Sequence, residues 1–295
     1  MTTPYGIAPK GYRLPPATHI GRVTLQVADL ARSLAYYERV LGFRVLERTP
    51  GKAILGTQSG DQPLIELRER PGVTPVPRRG RLGLYHYAIL LPDRAHLGRL
   101  LRHLAEQGER AGMSDHLVSE ALYLSDPDGL GIEVYADRPR EAWQRNGQQL
   151  AMATDPLDVD NLLQAGGAER WSGMPAGTVI GHVHLYVGDL DQAAAFYHDG
   201  LGLDKIVWSY PGALFLSAGG YHHHLGTNTW ATGAQPATDA DARLLEWEVL
   251  VPSTADASAV LSSLSKAGVA VDRAADGGTA RDPWGTPVRV RAIQT

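Results

Sequence analysis

Apolar and polar residues alternate through Ile20-Gly21-Arg22-Val23-Thr24-Leu25-Gln26-Val27, a pattern that predicts a strand with one buried face. The same register returns 160 residues later, at Ile180-Gly181-His182-Val183-His184-Leu185-Tyr186-Val187. Behind each copy the period lengthens to that of a helix, over Ser33 to Val40 and Gln192 to His198. Each helix is closed by Leu41-Gly42-Phe43 or Leu201-Gly202-Leu203, where glycine suits a helix end. A second pair of strands matches at the same offset, His86 to Pro92 with Glu246 to Pro252. These lead into helical patterns over Ala95 to Gln107 and Ala255 to Ala267. Short strands follow around the turns Asp126-Pro127-Asp128-Gly129 and Asp282-Pro283-Trp284-Gly285. The chain therefore reads as four strand–helix–three-strand units beginning near residues 19, 83, 179 and 243. Residues 1–137 are expected to hold one pair of units and 178–295 the other. Residues 138–177, with a short helical pattern over Val159 to Gln164, connect them.

Composition narrows the chemistry. At roughly 150 residues per domain, 295 residues supply about two domains' worth of core. The 28 Lys and Arg against 32 Asp and Glu give a net charge of −4 without a basic run, which argues against nucleic acid as a partner. No stretch approaches the ~20 apolar residues needed to cross a bilayer, and Met1-Thr2-Thr3-Pro4-Tyr5 does not read as a signal peptide. The expectation is a cytoplasmic protein that does not engage a membrane. Cysteine is absent, which excludes disulfides, thiolate metal sites and cysteine nucleophiles, so any metal must be held by histidines and carboxylates.

Four such units, with the opening Ile-Gly-x-Val-x-Leu-x-Val-x-Asp-Leu and the segment Asp126-Pro127-Asp128-Gly129-Leu130-Gly131-Ile132-Glu133, resemble the vicinal oxygen chelate superfamily. That superfamily includes glyoxalases, bleomycin-resistance proteins and type I extradiol dioxygenases. The resemblance implies an α+β fold of βαβββ modules, in which paired modules curl eight strands into an open cup. It also implies metal ligands on the first and fourth strands of the pair.

At the first-strand ligand position the four units carry Arg22, His86, His182 and Glu246; after the Asp-Pro turns, the last-strand position carries Glu133 and Arg289. Pairing consecutive units would aim an arginine at the cation in both cups. Pairing the second unit with the third gives His86, Glu133 and His182, a facial triad of two imidazoles and one carboxylate with open positions opposite. The first and fourth units then form a metal-free cup, in which Arg22, Glu246, Arg289 and Glu66 are expected to pair with one another. A single histidine in an apolar strand is more often a satisfied core residue. Two at the same repeat position, with a glutamate set between apolar neighbours, fit a site better, because a lone buried glutamate is costly.

The run Tyr221-His222-His223-His224-Leu225-Gly226-Thr227-Asn228 is expected as the fourth strand of the third unit. Strand alternation would turn His223 away from its two neighbours. The resemblance implies a catalytic histidine here, matched by His223, where glyoxalases place a metal-binding glutamate; a surface histidine cluster is the plainer reading. Tyr123, ten residues before Glu133, matches a tyrosine that hydrogen-bonds a substrate hydroxyl, and His116 matches a second-sphere histidine at somewhat short spacing. His184 is assigned to the face opposite His182, and His19, His96, His103 and His198 to solvent. Tyr85 and Trp230 border the site strands without a fixed role.

The resemblance thus implies a non-haem Fe(II) extradiol dioxygenase, with Mn(II) as the other metal. It would open a small catechol-type diol beside its two hydroxyls, using O2, to a semialdehyde. A homo-oligomer is left open. Two other readings are a glyoxalase-type isomerase or lyase, and a non-enzymatic bleomycin-resistance-like binding protein with an empty cup.

Overall fold

The computed structural model describes residues 5–77 and 80–293. Unit one comprises β1 (His19–Val27), α1 (Leu30–Arg39), β2 (Arg44–Thr49), β3 (Lys52–Gly56) and β4 (Ile65–Glu69). Unit two comprises β5 (Gly83–Leu90), α2 (Arg94–Glu106), β6 (Gly112–Asp115), β7 (Ser119–Ser125) and β8 (Gly131–Asp137). The connection carries β9 (Arg145–Asn146), β10 (Gln149–Leu150) and α3 (Val159–Ala165). Unit three comprises β11 (Val179–Tyr186), α4 (Leu190–Ala194), β12 (Asp204–Val207), β13 (Ala213–Ser217) and β14 (Leu225–Asn228). Unit four comprises β15 (Arg243–Val251), α5 (Thr254–Lys266), β16 (Val271–Ala274), β17 (Gly277–Arg281) and β18 (Pro287–Ala292).

The unit helices start for the same local reason. Asp29, Asp93, Asp189 and Ser253 each sit in extended backbone just before the first turn. Their side-chain oxygens accept the N–H groups of Arg32, His96, Gln192 and Asp256, which would otherwise lack an intrahelical partner. α2 buries Leu97, Leu100, Leu101 and Leu104, a stripe at helical spacing that faces the sheets. α4 is short and continues into a wider turn over Ala195–Gly200, which carries Phe196 and Tyr197 inward.

The strands form two eight-stranded sheets. One runs β12-β13-β14-β11-β5-β8-β7-β6, so it is built from units two and three; the other runs β16-β17-β18-β15-β1-β4-β3-β2, from units one and four. This is the interleaved pairing expected from the ligand chemistry. The seams are antiparallel: β11 meets β5 with His184 opposite His86, and β1 meets β15 with Thr24 opposite Glu246. Each sheet takes one unit from before residue 138 and one from after residue 177.

Sequence-adjacent units are joined by buried polar bolts instead. Tyr37 of α1 hydrogen-bonds the Tyr87 hydroxyl of β5 at 3.0 Å and reaches Asp126 Oδ2 at 3.5 Å. In the second half, Tyr197 donates to Asp282 Oδ2 at 2.9 Å. The same two aspartates order their turns, Asp126 Oδ1 accepting the Asp128 and Leu130 N–H groups and Asp282 Oδ1 those of Trp284 and Thr286. Burial pushes the Asp126 carboxyl up to about 7, against the pull of those backbone donors. Among the described residues no helix is long and apolar enough to cross a membrane.

Candidate metal centre

The triad converges on the concave face of the sheet made by units two and three. His86 comes from β5, Glu133 from the parallel neighbour β8, where it pairs in register with Ala88, and His182 from β11 across the seam. One ligand atom from each lies within 4.8 Å of the others, and all three residues are buried. His86 Nε2 stands 2.9 Å and His182 Nε2 3.1 Å from the same oxygen, Glu133 Oε2.

The donor set fits a divalent cation. His86 Nε2 is buried and makes no hydrogen bond despite its 2.9 Å approach to Glu133. Two imidazole nitrogens converging on one carboxylate oxygen, with only His182 Nε2 hydrogen-bonded to it and His86 Nε2 left over, is the arrangement a metal completes. Charge states agree. Burial alone would raise the Glu133 carboxyl, but the adjacent His182 and His86 outweigh it and hold Glu133 well below the usual carboxylate range. Burial pushes His182 down to about 4 against the pull of Glu133. At neutral pH Glu133 is therefore a carboxylate and His182 a neutral imidazole, the forms that bind metals. One departure is His182 Nδ1, buried without the outer partner that usually orients a ligating ring.

Tyr123 and His116 meet beside the triad. Tyr123 of β7 pairs in register with Glu133, which turns its ring into the same cavity. Its hydroxyl lies 2.6 Å from His116 Nε2, while His116 Nδ1 lies 2.6 Å from the Ala153 carbonyl oxygen. A carbonyl only accepts, so Nδ1 carries the hydrogen in the neutral ring and the Tyr123 hydroxyl donates to Nε2. Leu117, next to His116, holds φ at 68°, the one positive-φ residue other than glycine among those described. A leucine tolerates that region only under constraint, and the tight turn it makes between β6 and β7 aims the His116 ring back at Tyr123. Burial, reinforced by the Glu133 charge, raises the Tyr123 hydroxyl well above 10.

His223 also enters this cavity, its ring centroid 4.0 Å from that of His182 and 5.0 Å from that of Phe215. The route is not the expected one. The histidine run precedes β14 as irregular backbone, so alternation does not set its directions. Instead each ring is fixed by its own partner. His222 Nε2 meets Asp137 Oδ1 at 2.9 Å, His224 Nδ1 accepts the Ala218 N–H at 3.2 Å, and His223 Nδ1 meets His222 Nδ1 at 2.7 Å. Burial, then the neighbouring imidazoles, holds His223 well below its ordinary value, so it is neutral.

The assignment of His184 to the opposite face is overturned. Residues two apart on a strand share a face, and His184 lines the cavity, its ring 5.0 Å from that of His86. Its Nε2 is 3.0 Å from Asn228 Nδ2. Gly226 makes room, since a Cβ there would stand 2.8 Å from the His184 ring. His198 is buried as well, with Nδ1 2.6 Å from the Leu203 carbonyl, so it is no solvated helix residue.

The cavity measures about 400 Å³. Tyr85, Tyr210, Phe215 and Trp230 form an aromatic wall, with Trp230 nearly half exposed at the rim, and the connecting segment contributes Met152 and Thr154. Glu133 is the one carboxylate among its described lining residues, and no lysine or arginine is present there. Tyr210, Phe215 and the connecting-segment residues were not legible as site residues, because nothing local to them signals a cavity.

The profile of the Glyoxalase/Bleomycin resistance protein/Dioxygenase superfamily matches residues 19–134 and 179–290, both pairs of units. The chain belongs to that superfamily. It is 46% identical over 270 residues, covering 90% of this chain and 94% of the relative, to a catechol-2,3-dioxygenase of Bacillus subtilis (strain 168). Among solved structures it resembles a putative dioxygenase of Bacillus subtilis subsp. subtilis str. 168, with a TM-score of 0.66 and 14% identity over 96% of this chain and 87% of that one. It also resembles glyoxalase I from Zea mays, with a TM-score of 0.56 and 19% identity over 94% and 92%. These two likenesses speak for the fold.

The superfamily cup built from units one and four carries salt bridges instead of a ligand set. Arg22 Nη1 lies 2.7 Å from Glu66 Oε2, and Arg22 Nη2 lies 3.5 Å from Glu248 Oε1. Arg68 and Lys52 add to Glu66, and Arg291 to Glu248. The expected members Glu246 and Arg289 are not the core of this cluster. Arg289 bonds Asp276, and the buried carboxylates are Glu66 and Glu248. The reason is the seam register: Glu246 pairs with Thr24, which places Glu248, two residues on along the same face, beside Arg22, whose N–H it also accepts.

Proposed function

We propose that this protein is an extradiol dioxygenase that opens a catechol-type ring beside its two hydroxyls, with Fe(II) held by His86, Glu133 and His182. The observation that carries the reading is the convergence of that triad at the wall of a ring-sized cavity, which His86 and Glu133 line together with His223 and the Tyr123–His116 pair. When bound, a divalent iron supplies a Lewis acid for the diol and the electrons that let O2 react. Mn(II) suits the same oxygen and nitrogen donors.

The chain's own groups account for binding and proton handling. The aromatic wall of Tyr85, Phe215 and Trp230 takes the ring and excludes water. The Tyr123 oxygen, its proton already directed at His116, is free to accept the proton of one substrate hydroxyl and pass its own to His116 Nε2. His223, neutral and packed against the His182 ring, stands where it can hold and return a proton. The balance is catechol plus O2 giving a ring-opened hydroxy-semialdehyde that keeps both oxygen atoms.

An isomerase of the glyoxalase type needs a second carboxylate, and the cavity's described lining offers imidazoles where it would stand. A metal-free binding protein has no use for a buried, unsatisfied His86 nitrogen. Anaerobic loading with Fe(II), then addition of catechol in an oxygen electrode, should show one O2 consumed per catechol and a visible semialdehyde chromophore. Stoichiometric metal with no oxygen uptake on any catechol would refute the reading.

A further inference from the structure

The pair Asp137 and His222 lies behind His223, outside the cavity lining. Asp137 ends β8, four residues beyond Glu133, and keeps about a quarter of its side chain exposed. Its Oδ1 faces His222 Nε2 at 2.9 Å and also accepts the Tyr221 hydroxyl at 3.2 Å. Tyr221 in turn meets the Tyr135 hydroxyl at 2.6 Å. The His222 ring is fully buried, held between Tyr221 at 4.1 Å and Trp143 at 5.4 Å between centroids. Its second nitrogen, Nδ1, lies 2.7 Å from His223 Nδ1.

The hydrogens along this chain follow from donor and acceptor capacity. A carboxylate only accepts, so His222 Nε2 carries a hydrogen and, in the neutral ring, Nδ1 does not. Between two Nδ1 atoms at 2.7 Å one must donate, and only His223 has a hydrogen to give. His223 is then Nδ1–H, and the nitrogen left toward the cavity, Nε2, carries a bare lone pair.

We propose that Asp137 and His222 are positioning residues that lock His223 in its Nδ1–H tautomer, so that the ring presents a proton acceptor to the cavity. The proposal rests on the dioxygenase reading only for what the acceptor does in turnover. The tautomer itself follows from the geometry. The arrangement parallels a carboxylate that fixes a catalytic imidazole, lengthened by one ring. Asparagine at 137 breaks it in a defined way. Its amide can donate to His222 Nε2, which moves the His222 hydrogen to Nδ1, turns the donor direction round and leaves His223 with its hydrogen on Nε2.

The test uses the full-length chain with ¹⁵N-labelled histidine, loaded with diamagnetic Zn(II). The His223 signals are assigned by their loss in His223→Gln. Long-range ¹H–¹⁵N correlation should show His223 as Nδ1–H in the wild type, and as a mixture or the Nε2–H form in Asp137→Asn. With Fe(II), Asp137→Asn should lower kcat on the order of 10²-fold with KM and iron content unchanged, and Asp137→Glu should recover most of it. An Nε2–H His223 in the wild type overturns the proposal, as does an Asp137→Asn enzyme with wild-type kcat. If the wild-type protein turns over no catechol while His223 is Nδ1–H, the dioxygenase reading fails and the tautomer lock stands.

Discussion

Arg22 holds in one cup the strand position that His182 holds in the other. Each lies two residues before a seam pair, Thr24 with Glu246 and His184 with His86. One guanidinium reaches Glu66 at 2.7 Å, and one imidazole reaches Glu133 at 3.1 Å. The same backbone therefore presents a built-in cation in one sheet and a ligand set open to a cation in the other.

The ligand set predicts a shared loss. His86→Ala, Glu133→Ala and His182→Ala should each reduce bound iron per folded chain and abolish oxygen uptake together, because each removes one of three protein donors. Iron measured by plasma emission beside circular dichroism checks this. A variant that keeps full iron and full activity removes that residue from the set.

His223 predicts a different signature. His223→Ala should retain iron, since the ring packs against His182 without belonging to the converging donors. Its kcat should fall by ~10²–10⁴-fold, the range for a lost acid–base group. Normal turnover would leave the ring a packing role only.

Arg22→Ala should lower stability without touching iron content. Glu66 keeps Arg68 and Lys52, and Glu248 keeps Arg291, so neither carboxylate is wholly stranded. The expected cost is about 1–3 kcal/mol, less than the ~3–5 kcal/mol of an abandoned buried charge. Urea unfolding and iron analysis on the same preparations decide it, and a fall in iron per folded chain would couple the two cups.

His224 predicts a pH effect. Burial pushes it down to about 3 from an ordinary value near 6.5, so folding favours its neutral form. That stability is fully present above pH ~6.5 and is lost as pH falls toward 3, because the unfolded chain takes up the proton first. Between pH 6.5 and 5 the share is about 2 kcal/mol at ~1.4 kcal/mol per unit. Urea titrations with chelator present should show His224→Gln losing that much less stability than wild type over this interval. Equal losses would refute the assignment.

The cavity wall predicts substrate charge. With four aromatic side chains and no lysine or arginine among its described lining residues, it should favour uncharged catechols with alkyl or aryl substituents. Carboxylated catechols should show lower kcat/KM, by on the order of 10-fold or more, since an unpaired carboxylate would be desolvated against aromatic rings. Competing substrates in one oxygen-uptake assay measure the ratio, and a preference for the acid would point to a cation supplied from elsewhere in the chain.

Sequence by itself determined the four units, the glycines that close two of their helices and which units share each cup. Those rest on short-range periodicity and on the rule that a cation rejects arginine, and both are local to a strand. The repeat marked His86 and His182, and the position after the Asp-Pro turn marked Glu133, while Tyr123, His116 and His223 came from the family resemblance and not from any repeat. The face of His184 was open to the same period-two rule and was misread; that Glu248 and not Glu246 sits beside Arg22 needed the seam register, which a bulge in β1 shifts. Tertiary structure alone decided that His222 leans on Asp137, 85 residues away, that His198 is buried, and that Met152 and Thr154 close the cavity. Such contacts join segments whose own sequences carry no periodic signal of one another. The closing of β11 onto β5 brings His222 and Asp137 within reach.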